Sequence, residues 1–150
     1  MDDFLKNDWL ENTLSNLIRD KKNIDKLLAA ILVSDVLIPM EFYLDGKEFN
    51  RKNVIHAIKN NKLKVSYLLA DIEGDGDKKL VIFTSNSRAS YGIPENFYLI
   101  KIKFIDFLLN EYDRNLKGVI INPYHEGINL NSMHIEVMLS ALAECKNEGN

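Results

Sequence analysis

The stretch KLVIFTS, residues 79–85, decides the fold class of this 150-residue chain. Its apolar and β-branched residues predict a strong strand over Lys79–Phe83. Leu63–Ala70 shows the alternation and β-branching of another strand, and the linker Glu73–Asp77 between the two is short and rich in glycine. A linker of that kind closes a hairpin, so the two strands are predicted to pair antiparallel, with the glycines supplying positive φ angles.

Strands and helices alternate after this hairpin. Tyr98–Lys103 alternates apolar and charged residues as a half-buried strand does, and from Phe104 the apolar residues switch to helical spacing. Gly118–Ile121 is a brief apolar strand, which the turn-forming pair Asn122-Pro123 ends. The final helix is predicted to begin near Asn131 or Ser132.

Helical periodicity dominates the chain before the hairpin. An apolar stripe that includes Phe4, Leu5, Trp9 and Leu10 predicts an amphipathic helix that packs Trp9 against a sheet. A second helix is predicted from Asn23, a good N-cap. Two more elements follow, namely a strand over Val36–Ile38 that stops at Pro39, and a short helix capped by Asn50.

These elements predict an α/β (α+β) class, in which helices pack on a mixed sheet of about five strands. No linker rich in proline, glycine or serine and no internal repeat interrupts the order, so residues 1–150 are predicted to form one domain.

Composition narrows the choice of compartment and partner. The net charge is only −3 and basic residues are dispersed among acidic ones, which argues against nucleic acid as a partner. The acidic start lacks a signal-peptide pattern, and no apolar run reaches the roughly 20 residues that a membrane span needs. The single cysteine, Cys145, suits a reducing compartment. A cytoplasmic protein is predicted, and the bias towards lysine and asparagine favours a bacterial source.

A series of short segments resembles a known family. VLIPM at 36–40 follows an apolar helix, VIFTS stands at 81–85, and GVIINP stands at 118–123 after a strand and a helix. In this order the segments resemble the N-terminal domain of the SseB family, over about residues 10–142. The stretch Glu41–Asn61 is longer than the family's usual connection, and the second domain of many members has no counterpart in this sequence. The resemblance implies a fold and no catalytic residues.

The sequence contains no complete motif for a metal site, a cofactor site or a catalytic nucleophile. Acidic residues from Asp71 to Asp77 resemble the start of an EF-hand loop, but Ile82 stands where a bidentate glutamate is required, so an acidic hairpin turn is the better interpretation. The three histidines have no zinc-site spacing, and no GxSxG elbow surrounds the serines after Phe83. No P-loop, dinucleotide fingerprint or CxxC motif occurs. We therefore predict no metal, no cofactor and no catalytic residue.

Two loops remain as candidate binding sites, because ligands of α/β proteins favour the crevice beyond the carboxyl ends of strands. The loop after Phe83 carries Thr84, Ser85, Arg88 and Tyr91. The loop after Ile121 carries Asn122, Tyr124 and His125. Turn formation and capping explain many of the same residues, so a structural role is the favoured interpretation of both loops and a binding role is the alternative.

Two functional hypotheses follow. The first is a non-enzymatic protein-interaction module of SseB-like type. The second is a domain that binds a small ligand or an anion at the two loops. A hydrolase with only weak sequence indications, acting at the same loops, belongs to this second hypothesis. A polar pocket that contains Arg88 and His125 favours the second hypothesis. An exposed apolar patch or an open sheet edge favours the first.

Overall fold

The structure is a computed structural model that describes residues 2–17, 24–43, 64–71, 74, 76–89, 92–125 and 127–148. This part of the chain contains four helices and seven strands, which confirms the α+β class. The helices are α1 (Asp8–Leu17), α2 (Ile24–Leu32), α3 (Phe104–Asn110) and α4 (Ser132–Glu148). The strands are β1 (Asp35–Tyr43), β2 (Lys64–Tyr67), β3 (Leu69–Ala70), β4 (Lys79–Ile82), β5 (Tyr98–Lys103), β6 (Gly118–Ile121) and β7 (Ile128–Asn131).

The strands lie in two connected sheets and not in a single sheet of about five strands. The first sheet has the order β2-β1-β5 and is antiparallel throughout. The second has the order β3-β4-β6-β7, in which β4 and β6 run parallel. Leu37 of β1 and Phe83, directly after β4, join the sheets by exchanging two backbone hydrogen bonds of 2.8 and 2.9 Å. The two sheets therefore meet at the strand end that bears the first candidate loop.

The predicted strand Leu63–Ala70 corresponds to β2 and β3, which separate at Leu68. The Leu68 carbonyl accepts a hydrogen bond from the Val81 N–H, so the chain leaves the first sheet and joins the second at this residue. The predicted antiparallel pairing with β4 is confirmed through β3. In the linker between them, Gly74 and Gly76 have positive φ angles of 69° and 87°, and the Asp71 carboxylate accepts a hydrogen bond from the Gly76 N–H.

The prediction that Pro39 stops the first strand is wrong, since β1 continues to Tyr43. Pro39 lies opposite Leu99 of β5, and the backbone N–H and C=O of Leu99 are engaged by the N-terminal segment. The missing N–H of Pro39 therefore faces the other side of β1. On that side the neighbour of β1 changes from Phe83 to β2, so the proline interrupts no continuous ladder.

Alternate residues of the central strands face two separate cores. The main core contains buried residues from all four helices, together with Val36 and Ile38 of β1 and Leu80 and Ile82 of β4. Residues of the opposite parity belong to a smaller cluster, whose buried members are Leu37, Val81, Phe83, Ala89, Leu99 and Ile120. Both faces of the central strands are thus covered, which explains why LVIF (80–83) and GVII (118–121) are apolar without interruption.

The prediction that Trp9 packs against a sheet is wrong, because its side chain is 60% exposed. Helix α1 begins at Asp8, so Phe4 and Leu5 precede it, and its buried residues are Leu10 and Leu14. Consecutive residues of an α-helix lie about 100° apart around its axis, which turns Trp9 away from the face that Leu10 defines. The apolar stripe read from the sequence therefore mixes a non-helical segment with the helix.

The last helix begins as predicted. The Asn131 side chain accepts a hydrogen bond from the His134 N–H, and the His134 ring accepts one from the Asn131 N–H. This reciprocal capping fixes the start of α4 at Ser132. The predicted start at Asn23 and the predicted helix after Asn50 lie outside the described residues. Within the described part, none of the helices combines the length and apolar character that a bilayer crossing requires.

The N-terminal segment covers the outer edge of β5. The carboxylates of Asp2 and Asp3 accept hydrogen bonds from the backbone N–H groups of Leu99 and Lys101, at 2.9 and 2.7 Å. The Asp3 N–H in turn donates to the Leu99 carbonyl at 2.8 Å. A short extended segment therefore satisfies an edge that would otherwise present unpaired backbone groups.

Candidate functional site

The two candidate loops are adjacent because their strands are parallel neighbours. Ile82 of β4 lies opposite Ile121 of β6, so both strands end at the same edge of the second sheet. Beyond that edge, the Asn122 side chain accepts a hydrogen bond from the Thr84 N–H at 3.0 Å and donates one to Thr84 Oγ1 at 2.9 Å. Thr84 and Asn122 are both buried. The sequence placed these residues in separate loops, and the fold connects them by a pair of hydrogen bonds.

Asn122 also determines where β6 ends. Its φ angle of 53° is in the left-handed region, which asparagine tolerates better than most residues. Its carbonyl accepts a hydrogen bond from the His125 N–H at 3.0 Å, which closes the turn that contains Pro123. The prediction that Asn122-Pro123 forms a turn at the end of this strand is therefore confirmed, and the same turn holds the backbone of His125.

The loop after Phe83 is a capped turn. Ser85 is buried, and its hydroxyl accepts a hydrogen bond from the Arg88 N–H at 3.3 Å. The Asn86 side chain links this loop to the N-terminal segment, because it accepts from the Leu5 N–H and donates to the Asp3 carbonyl. These contacts place the Arg88 side chain, which is partly exposed, on the side of the loop that faces α1.

Helix α1 supplies an acidic residue to the two loops. Glu11 Oε1 accepts a hydrogen bond from Thr84 Oγ1 at 2.8 Å and lies 3.7 Å from the Nε atom of Arg88. The second distance exceeds that of a direct N–H···O hydrogen bond, which is about 2.7–3.2 Å, so the glutamate and the arginine form a loose ion pair. Glu11, Thr84 and Asn122 thus form a continuous polar chain from the helix to the end of β6.

Glu11 and Asn122 line a pocket of about 330 Å³. That volume is at the lower end of the range of about 300–1,000 Å³ for small-molecule sites. Its polar wall consists of charged, imidazole, amide and hydroxyl side chains, and its apolar wall of two aliphatic side chains. The lining residues are Glu11, Leu14, Ser15, Arg88, Asn122, His125 and Ile128. Arg88 and His125, from separate loops, therefore face one cavity.

The remaining candidate residues have other places. The Tyr124 ring stacks on Phe83, with centroids 6.0 Å apart, and its hydroxyl donates to the Gly92 carbonyl at 3.2 Å. Tyr124 therefore joins the two loops and is not among the residues that line the pocket. Thr84 and Ser85 act beneath the pocket, through Glu11 and the Arg88 backbone. Tyr91 lies outside the described residues.

Titratable groups with shifted pKa values lie elsewhere. Burial raises the pKa of Tyr67 to about 12, with a further rise from the charge of Glu111. Burial likewise raises the pKa of Glu111, and it raises the pKa of Tyr112 to about 12, where the charges of Asp113 and Glu136 also contribute. Tyr67 and Tyr112 contact the Phe107 ring edge to face in the main core. Over the described residues, no group of three or more histidine, cysteine, aspartate or glutamate side chains could hold a metal ion.

Four residues of the pocket were not predicted from the sequence, namely Glu11, Leu14, Ser15 and Ile128. Three of them belong to α1, about 70 residues before Thr84 in the chain. Their periodicity predicts a helix but contains no information on which loop that helix packs against. Ile128 follows the second candidate loop closely and could have been included as the first residue of the next strand.

Comparisons with known proteins assign no family and no function to this chain. The chain matches no family model, no curated protein and no solved structure.

Proposed function

We propose that this chain is a non-enzymatic domain that binds a small polar ligand in the pocket between α1 and the two loops. The observation that carries the proposal is the convergence of Arg88, His125 and Glu11 on one cavity of about 330 Å³. We further propose that the domain is of SseB-like type and acts in the bacterial cytoplasm, on the strength of its sequence.

The wall of the pocket is suited to recognition because hydrogen bonds within the protein hold two of its polar side chains, Asn122 and Glu11. Asn122 is held by Thr84 on one side and by the turn of β6 on the other. The hydroxyl of Thr84 fixes Glu11, and Ser85 fixes the backbone at Arg88. Preorganised side chains reduce the entropic cost of binding. The guanidinium group of Arg88 also matches the planar fork of a carboxylate or phosphate oxygen pair.

A thermal-shift screen with small carboxylates, phosphates and neutral polar compounds tests this proposal. A ligand present at 100 times its dissociation constant stabilises a protein by about 2.7 kcal/mol, which moves the melting temperature by several degrees. We expect such a shift in the wild type and its loss in Arg88→Gln. The melting temperature of Arg88→Gln without ligand should stay close to that of the wild type, because loose exposed ion pairs contribute about 0–1 kcal/mol.

Arg114→Gln is the matched control, since Arg114 is exposed and is not among the lining residues. It removes the same charge and should keep the full ligand-induced shift. Ligands that stabilise the wild type and Arg88→Gln equally would bind outside the pocket and would contradict the proposal.

A second candidate function is a protein-interaction module, and one surface favours it. Met133 and Val137 of α4 are 71% and 50% exposed, and they line a shallow groove with Ala141, Glu136 and Glu144. Large apolar side chains at a spacing of four residues form one face of a helix. The two glutamates favour a partner segment that is amphipathic and basic.

Val137→Glu tests the second candidate. The substitution should abolish the capture of a partner protein that the wild type retains, without changing the melting temperature. Leu109→Glu on α3 is the control, because Leu109 is also an exposed apolar side chain, at 57%, on a different helix. Equal capture by both variants would exclude the α4 groove as the binding surface.

A further inference from the structure

The charges of the pocket restrict the ligand that it can hold. Glu11 and Arg88 are the charged residues among its described lining, and their formal charges cancel. A ligand with several negative charges would gain from Arg88 and be repelled by Glu11, and the reverse holds for a polycation. The lining therefore favours a ligand with no net charge.

Glu11 and Arg88 both have atoms that can bind a ligand with one positive and one negative group. Within the described part of the chain, both contacts of the Glu11 carboxylate involve Oε1, which leaves Oε2 to accept a hydrogen bond from a ligand. Arg88 Nε lies 3.7 Å from Glu11 Oε1, which is too long for a direct hydrogen bond. The terminal nitrogens of the guanidinium group supply donors for a carboxylate.

The two charged side chains lie side by side in the wall of the pocket. Arg88 Nε and Glu11 Oε1 are 3.7 Å apart, so a compact ligand can contact both side chains at once. An ammonium group and a carboxylate on the same carbon atom form such a compact pair of charges. Leu14 and Ile128 supply an apolar wall to the same cavity, where aliphatic carbons can be buried.

We infer that the pocket between α1 and the two loops binds a small zwitterion of the α-amino-acid type with an aliphatic side chain. Its carboxylate pairs with Arg88, its ammonium group donates to Glu11, and its side chain packs on Leu14 and Ile128. This inference rests on the proposed small-ligand function and specifies the ligand class.

Three matched probes test the inference by isothermal titration calorimetry at pH 7. Leucine carries both charges, 4-methylpentanoic acid has the same carbon chain without the ammonium group, and 3-methylbutylamine lacks the carboxylate. We expect leucine to bind the wild type at least tenfold more tightly than either single-charge probe. Such a ratio corresponds to about 1.4 kcal/mol or more.

Charge-removal variants add a second readout that a purely structural role would not produce. Glu11→Gln should weaken the binding of leucine at least tenfold. The affinity for 4-methylpentanoic acid should stay unchanged or increase. Arg88→Gln should weaken leucine and 4-methylpentanoic acid, and should leave 3-methylbutylamine unchanged or tighter. Should Glu11→Gln fail to fold, the ranking of the three probes on the wild type still decides the question.

The outcomes separate this inference from the proposed function. One contrary result is that a single-charge probe or inorganic phosphate binds the wild type as tightly as leucine or more tightly, and loses that binding in Arg88→Gln. This result would contradict a zwitterionic ligand but would support the ligand site itself. No binding of leucine to the wild type, while compounds of the thermal-shift screen bind in an Arg88-dependent way, would also overturn the zwitterion alone. Failure of every compound to bind in an Arg88-dependent way would overturn both.

Discussion

Phe83→Ala is expected to lower the free energy of unfolding by about 3–5 kcal/mol, the usual cost of deleting a fully buried phenylalanine ring. Phe83 has no exposed surface and lies in the smaller of the two cores. Its backbone joins the two sheets through Leu37, and its ring supports Tyr124, which connects the two loops. Removal of the ring leaves a cavity at the junction on which the pocket is built, so chemical denaturation should show a large loss of stability.

Phe4→Ala provides the control for this loss. Phe4 is 67% exposed, so its replacement should change the unfolding free energy by no more than about 0.5 kcal/mol. A cost below about 1 kcal/mol for Phe83→Ala would show that the junction of the two sheets does not depend on this ring.

Asn122→Ala is expected to cost about 2–5 kcal/mol through two separate effects. Alanine in the left-handed region at a φ of 53° is disfavoured by roughly 1–2 kcal/mol. Loss of the side-chain oxygen removes the acceptor of the buried Thr84 N–H, and an unsatisfied buried donor costs about 1–3 kcal/mol. Urea denaturation with a constant m-value measures the sum.

Asn122→Gly separates the two effects, because glycine accepts the backbone conformation and lacks the amide. It should be more stable than Asn122→Ala by about 1 kcal/mol and less stable than the wild type. Equal stability of the wild type and Asn122→Ala would contradict a structural role for this side chain and would restrict Asn122 to ligand recognition.

The strands were predictable because the residues at 80–83 and 118–121 are apolar on both faces of the strand, where one buried face would require only alternate apolar residues. The division into two sheets was not predictable from the sequence. It depends on the passage of the chain from one sheet to the other at Leu68, and on the backbone hydrogen bonds between Leu37 and Phe83. Pro39 illustrates the same limit. A proline stops a strand only where a backbone N–H at that position would have to donate to a neighbouring strand. Whether it would is determined by which strand lies on that side.

The candidate site was partly predictable for a related reason. Parallel strands bring their carboxyl ends together, so a loop after β4 and a loop after β6 could be selected from sequence as parts of one site. Glu11 could not be selected, because only the packing of α1 over the strand ends brings it to Thr84. Trp9 lies two residues before Glu11 and belongs to the apolar stripe that predicted the helix, and yet its side chain faces solvent.

The most direct test of the account is an NMR titration of the ¹⁵N-labelled chain with the tightest compound from the thermal-shift screen. We predict that the largest backbone amide shifts fall on Glu11, Arg88, Asn122 and His125, which face one pocket. Amides of α4 near Met133 and Val137 should stay unperturbed. Shifts confined to that face of α4, with none at Arg88 or His125, would contradict a ligand site at the junction of the two loops.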